Sequence, residues 1–147
     1  KEFGAEVNIM NNKVTIEKSD LKGLDVNCDD FPDLFPILTV LGTYSEGETI
    51  ITGKQLRYKE SDRINNMVVN LKKMGADIDE FEDGVRIRKS KLKGSELNPR
   101  GDHRIAMALT IAAFGADGKS VIKDSNCVSK SYPNFFNDLD EVVEYGR

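Results

Sequence analysis

The apolar residues of this 147-residue chain follow strand and helix periods in an order that occurs twice. In the first half, alternation over Glu6–Ile9 and Lys13–Glu17 predicts a hairpin whose turn is Asn11-Asn12. A short extended stretch is predicted at Leu24–Asn27. Helical spacing of leucine and isoleucine then predicts a helix over Asp33–Tyr44.

A strand and a second helix complete the first half. The β-branched run Thr49–Thr52 predicts the strand, and apolar residues at helical spacing in Asp62–Met74 predict the helix. Gly75 follows directly and is expected to end that helix. In the second half the predicted elements are a hairpin of Ala76–Glu80 and Val85–Arg88 around Asp83-Gly84, an extended stretch at Glu96–Asn98, a helix at His103–Phe114, a strand at Lys119–Lys123 and a helix at Pro133–Tyr145.

The two halves also match residue by residue at a constant offset of 71 positions. Gly4-Ala5-Glu6 returns as Gly75-Ala76-Asp77 without a gap, and many later positions keep the same offset. Such a repeat is typical of supersecondary units that pack against their copies. We therefore expect an α+β chain of two α/β repeat units, at about residues 4–74 and 75–145. In this alignment Lys1–Phe3 correspond to the end of an earlier helix, so we expect a piece of a larger architecture.

Composition narrows the class of protein. Apolar residues make up 39% of the chain and charged residues 31%, which is typical of a soluble globular protein. The net charge of −4 and the interleaving of basic with acidic residues argue against nucleic-acid binding. No apolar stretch approaches the roughly 20 residues of a membrane span. Cys28 and Cys127, with a single histidine in the chain, are expected to be free thiols in a reducing cytoplasm and not zinc ligands.

Charged residues concentrate at the loop that precedes the closing helix of each unit. Residues 57–63 read Arg-Tyr-Lys-Glu-Ser-Asp-Arg, which places five charged side chains in seven positions. Lys59 in this loop matches Lys130 in the second unit. Converging cations suit a phosphate or carboxylate, and neighbouring carboxylates suit proton transfer. The alternative is a set of solvated ion pairs on the surface, such as Asp62 with Arg63.

A second concentration lies where the apolar helices begin. Asp33 and Arg104 occupy equivalent positions in the two units, and His103 precedes Arg104. Helix N-termini favour anions, so Arg104 at such a place indicates an anionic ligand. Asp33 has an alternative as an N-cap, and His103 as a capping group. If the units pack side by side, both concentrations of charged residues lie on one rim of the chain. Glu60 would then lie near Asp33 and Arg104.

These residues carry a resemblance to a known family. The stretch Leu56–Ile64 resembles the Leu-Arg-x-Lys-Glu-Ser-Asp-Arg signature of the EPSP synthases, or 3-phosphoshikimate 1-carboxyvinyltransferases. Asp102–Met107 resembles a second signature, while Pro32-Asp33 and Ser129–Pro133 fall where the family has a catalytic aspartate and a late lysine. The resemblance implies part of the C-terminal domain of an enolpyruvyl-transferase-like fold. That domain is an inside-out α/β barrel of three βαβαββ units, of which two would be present and the third missing.

The resemblance also implies a reaction. Family members transfer the enolpyruvyl group of phosphoenolpyruvate to the 5-hydroxyl of shikimate 3-phosphate and release phosphate, in aromatic amino acid biosynthesis. By resemblance Asp33 takes the hydroxyl proton, and Glu60 takes part in proton transfer at the methylene carbon. No metal or organic cofactor is implied. The candidate substrate-binding residues are Gln55, Lys59, Arg63, His103, Arg104 and Lys130.

Two other functions stay open at this point. The related UDP-N-acetylglucosamine enolpyruvyl transferases use the same donor, and a non-catalytic repeat scaffold would keep the fold without the chemistry. The family's N-terminal domain, which closes over the substrates, has no counterpart in this sequence. We therefore expect negligible transferase activity from this chain alone, with no nucleic-acid or membrane partner.

Overall fold

The computed structural model describes residues 1–142, and their helices and strands follow the predicted order. In chain order these are β1 (Glu6–Met10), β2 (Lys13–Glu17), β3 (Asp25–Asn27), α1 (Phe35–Tyr44), β4 (Glu48–Thr52), α2 (Arg63–Lys73), β5 (Asp77–Phe81), β6 (Gly84–Arg88), β7 (Glu96–Leu97), α3 (His103–Phe114), β8 (Val121–Ile122) and α4 (Phe135–Val142). Short 3-10 turns lie at Pro32–Leu34, Leu56–Tyr58 and Ser125–Lys130.

The strands form a hairpin, a four-stranded sheet and a parallel pair. β1 pairs with β2, and their turn places Asn11 and Asn12 in the left-handed region, as two-residue hairpin turns require. The four-stranded sheet has the order β3-β4-β6-β5, and β7 pairs with β8. β3 is parallel to β4, whereas β4 is antiparallel to β6. The β4–β6 pairing joins the first half of the chain to the second.

The β4–β6 pairing brings the two backbones close together, and its apolar side chains are buried from solvent. Ile51 of β4 lies opposite Val85 of β6, and both side chains are fully buried. A Cβ atom on Gly84 would lie 2.1 Å from the carbonyl oxygen of Ile51, so only glycine permits this approach. Helices α1 and α2 pack on the sheet, and α3 packs on both helices. The core is therefore shared between the two halves.

Equivalent hydrogen bonds recur in the two halves at the 71-residue offset. The amide of Lys22 donates to the carbonyl of Phe3 at 2.9 Å, and the amide of Lys93 donates to the carbonyl of Met74 at 2.8 Å. The same offset relates the bonds Gly23 to Glu46 and Gly94 to Asp117, both at 2.7 Å. The sequence repeat is thus accompanied by a repeat of backbone contacts.

Four predicted boundaries need correction. α1 begins at Phe35 and not at Asp33, because Pro32–Leu34 forms a 3-10 turn before it. The second hairpin turns at Glu82-Asp83, since Gly84 is already paired in β6. β8 covers only Val121–Ile122 of the strand predicted at Lys119–Lys123, because only these two residues pair with β7, and α4 begins at Phe135 and not at Pro133. The last residues of the helix predicted to end at Tyr145 lie outside the described part of the chain.

Candidate active site

The loop before α2 is fixed by a helix cap. Asp62 is the N-cap of α2, and its Oδ1 accepts a hydrogen bond from the amide of Asn65 at 3.0 Å. The prediction that Asp62 starts this helix is confirmed. The ion pair of Asp62 with Arg63, considered as an alternative, is not formed; Asp62 pairs with Arg57 instead. The cap sets Arg63 as the first residue of α2, where its side chain turns into the protein.

Arg63 is a fully buried guanidinium surrounded by carboxylates. Its Nε donates to Asp102 Oδ2 at 3.0 Å, and its Nη1 donates to Asp33 Oδ1 at 2.9 Å. Nη1 also donates to the carbonyl of Pro32 at 3.0 Å, and Nη2 donates to Glu60. A buried charge is tolerated only when it is paired in this way. Burial alone would lower the pKa of Arg63, but the hydrogen bond to Asp33 and the charge of Asp102 raise it above its usual value.

Asp102 is a buried carboxylate that the sequence analysis did not single out. It is the N-cap of α3, and its Oδ1 accepts from the amides of Arg104 at 3.0 Å and Ile105 at 3.4 Å. Its Oδ2 accepts from Arg63 and, at 3.2 Å, from the hydroxyl of Ser61. An aspartate directly before an apolar helical pattern is a recognisable cap signal, so the sequence contained the information. Asp102 links the start of α3 to the start of α2.

Asp33 bridges two arginines at the surface of this cluster. Its Oδ1 accepts from Arg63, and its Oδ2 lies 2.7 Å from Nη2 of Arg104. The interpretation of Asp33 as an N-cap is wrong, because α1 begins after Leu34 and has no side-chain cap. Burial alone would raise the pKa of Asp33, but the hydrogen bond from Arg63 and the charge of Arg104 hold it below its usual range. Asp33 is therefore ionised at neutral pH.

Two nitrogen atoms at the start of α3 are buried and without partners among the described residues. They are Nδ1 of His103 and Nε of Arg104. The Arg104 side chain is 34% exposed, whereas His103 is 7% exposed. Buried polar atoms are normally hydrogen-bonded, so these two nitrogens depart from the usual pattern, and a ligand of Arg104 would meet the exposed part of its guanidinium. An anion here would meet Arg104 and the N-terminal end of α3.

The comparisons with known proteins agree on one family. The model of the EPSP synthase family, 3-phosphoshikimate 1-carboxyvinyltransferase, matches residues 1–139. The chain belongs to the EPSP synthase family. The 3-phosphoshikimate 1-carboxyvinyltransferase of Pyrococcus abyssi is 48% identical over 146 residues, which are 99% of this chain and 36% of the relative. The chain therefore spans about a third of the length of this curated relative.

Solved structures give the same fold. An EPSP synthase from Acinetobacter baumannii matches with a TM-score of 0.82 and 32% identity, over 95% of this chain and 36% of that one. The enolpyruvyl transferase NikO from Streptomyces tendae matches with a TM-score of 0.81 over 96% of this chain and 33% of that one. At 21% identity, NikO supports the fold alone. The predicted enolpyruvyl-transferase-like α/β fold is confirmed.

The remaining candidates of this EPSP synthase family member lie around the cluster or beside it. Lys59 lies close enough to Asp33 for its charge to lower the pKa of that carboxyl. Lys130 is exposed, and its Nζ donates to the carbonyl of Gly101 at 3.2 Å, just before α3. Gln55 is exposed at the start of the 3-10 turn Leu56–Tyr58, and its side chain is not tied to the cluster by any described contact.

The cluster of this EPSP synthase family member is polar and does not resemble a metal site. Among residues 1–142, no group of three or more histidine, cysteine, aspartate or glutamate side chains is arranged to hold a metal ion. Cys28 and Cys127 are free thiols, as predicted. Over the same residues, no helix is long and apolar enough to cross a membrane. The arrangement can bind an anion at exposed cations and exchange protons at two carboxylates, Asp33 and Glu60.

Proposed function

We propose that this chain is part of the C-terminal domain of a 3-phosphoshikimate 1-carboxyvinyltransferase. In this proposal residues 4–74 and 75–145 are two of the three repeat units of that domain. The full-length enzyme transfers the enolpyruvyl group of phosphoenolpyruvate to the 5-hydroxyl of shikimate 3-phosphate and releases phosphate. The family membership of the chain supports this proposal, as does its share of about 36% of the curated relative's length.

One observation carries the proposal. Four side chains from three separate segments meet in a single contact cluster: Asp33, Glu60 with Arg63, and Arg104. Each segment is one that the family resemblance marked in the sequence. A surface of unrelated ion pairs would not bring residues 30 to 70 positions apart around one buried guanidinium. The cluster supports a site for a polyanionic intermediate and two proton transfers.

The chemistry divides between the two carboxylates. The 5-hydroxyl oxygen bonds to C2 of phosphoenolpyruvate, its proton passes to Asp33, and C3 gains a proton. Phosphate then leaves C2 and takes up the proton held by Asp33, and C3 returns its added proton to Glu60, which restores the double bond. Glu60 is the proposed group for the proton transfers at C3. The lowered pKa of Asp33 keeps this carboxyl ionised at neutral pH, and loss of an arginine contact on substrate binding would make it a stronger base.

The cations have different access to a ligand. Arg104 and Lys130 are partly or fully exposed, so they are the proposed first contacts for the phosphate and carboxylate of phosphoenolpyruvate. Arg63 is buried and already bound to carboxylates, so its contact with substrate requires Glu60 or Asp33 to move aside. Lys59 is the proposed contact for the shikimate hydroxyl. Gln55 and His103 remain candidate substrate contacts.

The rest of the site is proposed to come from the N-terminal domain of the full-length protein. An enzyme that closes two domains over its substrates excludes water from the reaction, and one domain alone cannot do this. We therefore expect the isolated chain to have negligible transferase activity. The two free thiols support a reducing, cytoplasmic location for the whole enzyme.

The test is a phosphate-release assay on the full-length protein with each of two acceptors. The proposal predicts phosphate release from phosphoenolpyruvate with shikimate 3-phosphate and none with UDP-N-acetylglucosamine. Glu60→Gln and Asp33→Asn should each lower kcat by about 100-fold or more. Release with the nucleotide sugar alone would assign the related transferase instead. Absence of release with both acceptors, from a folded protein, would favour a non-catalytic scaffold.

A further inference from the structure

Arg57 is a cation in the loop before α2. Among the described residues of the candidate active site, it contacts only Asp62, the N-cap of α2. Its side chain is 27% exposed and lies in the 3-10 turn Leu56–Tyr58. Nε donates to the carbonyl of Glu82 at 2.7 Å, and Nη2 donates to the carbonyl of Phe81 at 2.7 Å. Nη1 donates to Asp62 at 2.9 Å and to Glu80 at 2.8 Å. Three nitrogens therefore bind four acceptors, which leaves little of Arg57 for a ligand.

The four acceptors come from two places. Asp62 belongs to the first half of the chain and caps α2, whereas Glu80, Phe81 and Glu82 belong to the end of β5 and its turn. A planar guanidinium fork suits such a set, because it holds several oxygens in fixed directions. Arg57 thus ties the loop of the first half to the hairpin of the second half.

The residues between the two tied points are Tyr58, Lys59, Glu60 and Ser61. This segment has little apolar anchoring, since Tyr58 is 84% exposed. Its ends are held by the Arg57 side chain and by the Asp62 cap. Glu60 reaches the buried Arg63 from this short segment. Without the tie at Arg57, the buried Leu56 would be the remaining anchor at that end. Ser61 at the other end would keep its hydrogen bond to Asp102.

We propose that Arg57 is a positioning residue, which holds the Lys59–Glu60 segment against the β5–β6 hairpin so that Glu60 reaches Arg63 and the reacting carbon. The second part of this statement rests on the proposed function, and the first part does not. The second repeat has Val128 at the equivalent position, buried and without charge. The tie is therefore specific to the repeat that carries the candidate proton-transfer residue.

The first experiment is independent of catalysis and uses the 147-residue chain. In NMR spectra of the arginine side chains, Arg57→Gln should shift or broaden the Nη signal of Arg63 that reports the Glu60 contact. The Nε signal of Arg63, which reports Asp102, should stay in place. Arg86→Gln is the matched control, because Arg86 lies on β6 and pairs only at the surface with Glu48. An unchanged Nη signal in folded Arg57→Gln would overturn the proposal.

The second experiment is steady-state kinetics on the full-length protein. Arg57→Gln should lower kcat by about 10- to 100-fold, because displacement of a proton-transfer group is felt in the transition state. KM for phosphoenolpyruvate should change by less than about threefold, since the exposed cations are untouched. Arg57→Lys should recover at least about half of the lost activity on a logarithmic scale, because its ammonium still reaches the two carboxylates. Arg86→Gln should behave as the wild type.

The outcomes separate the two claims. If the wild type shows no transferase activity, the proposed function fails and the NMR result still decides whether Arg57 ties the segment. If the wild type is active and Arg57→Gln keeps its kcat, the positioning role is wrong and the proposed function stands. If Arg57→Gln does not fold, Glu80→Gln replaces it, because it weakens one contact and keeps an acceptor oxygen. A wild-type kcat in Glu80→Gln together with an unchanged Arg63 signal would then overturn the proposal.

Discussion

The junction between the two repeats and the outer edge of the first repeat, the β1–β2 hairpin, have the same alternation of apolar and polar residues. The apolar residues are buried at the junction and exposed at the outer edge. At the junction, defined by β4, β6 and the starts of α2 and α3, Val85 and Ile87 are fully buried. Their counterparts in β2, Val14 and Ile16, are 57% and 69% exposed. The alternation is identical, but β6 has β4 as a neighbour and β2 has only β1 among the described strands. Burial of a repeat position is thus decided by the neighbouring unit.

The same contrast separates charged positions. Arg63 is fully buried among carboxylates, and three of its contacts, to Asp33, Glu60 and Asp102, are salt bridges. Its counterpart 71 positions later is Asn134, which is exposed. The Arg63 cluster needs Asp33 from one repeat and Asp102 from the next. A site of this kind exists only where two units meet.

The largest expected difference concerns this pair of positions. Arg63→Ala should reduce the free energy of unfolding by about 3 to 5 kcal/mol, because it leaves buried Asp102 without its cation. Asn134→Ala, the matched control, should change it by less than about 0.5 kcal/mol. Urea unfolding of the two variants measures the difference. Similar losses for both would show that the junction is not what stabilises the cluster.

A smaller difference is expected for the apolar pair. Ile87→Ala should reduce the free energy of unfolding by about 2 to 5 kcal/mol, because it opens a cavity in the buried contact between β4 and β6. Ile16→Ala removes the same atoms from an exposed strand and should cost less than about 0.5 kcal/mol. The urea midpoints of the two variants provide the comparison. If Ile16→Ala is as costly as Ile87→Ala, then β2 is covered in solution, and the contrast between the two hairpins does not hold.

Much of the fold could be predicted because the local signals were strong. The predicted helix His103–Phe114 agrees with α3, since an aspartate cap precedes an apolar helical pattern and a glycine follows it. The hairpin turn at Asn11-Asn12 was predictable from its residue types. The start of α1 was harder to predict. Prolines at positions 32 and 36 allow either a 3-10 turn or a first helical turn, and packing decides between them.

The candidate site could be predicted only in part. The charged residues were recognisable, and Asp33, Glu60, Arg63 and Arg104 meet in one cluster. The burial of Arg63 could not be read from the sequence, because it depends on how Asp102 of the next repeat is apposed. In the sequence pattern, a buried arginine cannot be distinguished from an arginine on the surface. Contacts across a junction between repeats are where sequence reasoning is weakest.

The smallest effect concerns the charge that crosses the junction from Arg104 to Asp33. Arg104→Gln should raise the pKa of Asp33 towards its usual value, because one of the cations that lower it is lost. In the wild type this pKa is lower in the folded than in the unfolded chain. The contribution of Asp33 to stability is therefore full above about pH 3.9 and is lost as the pH falls further.

An NMR titration that follows the side-chain carboxyl carbon of Asp33 measures this change in its pKa directly. In Arg104→Gln, the contribution of Asp33 to stability should be smaller than in the wild type, and its loss on acidification should be complete at a higher pH. Arg86→Gln removes a surface arginine of the same repeat and should leave the titration of Asp33 unchanged. An identical Asp33 titration in Arg104→Gln and the wild type would show that the contact across the junction carries no charge effect.

The central claim is that the junction between the repeats is an anion-binding part of an enolpyruvyl transfer site. Titration of the labelled chain with phosphoenolpyruvate to millimolar concentration, followed by NMR, tests it most directly. The account predicts saturable shifts of the side-chain signals of Arg104 and Lys130, with the side-chain signal of Asn12, in the exposed β1–β2 hairpin at the outer edge, unchanged. No shift at either cation, or equal shifts at Asn12, would contradict it.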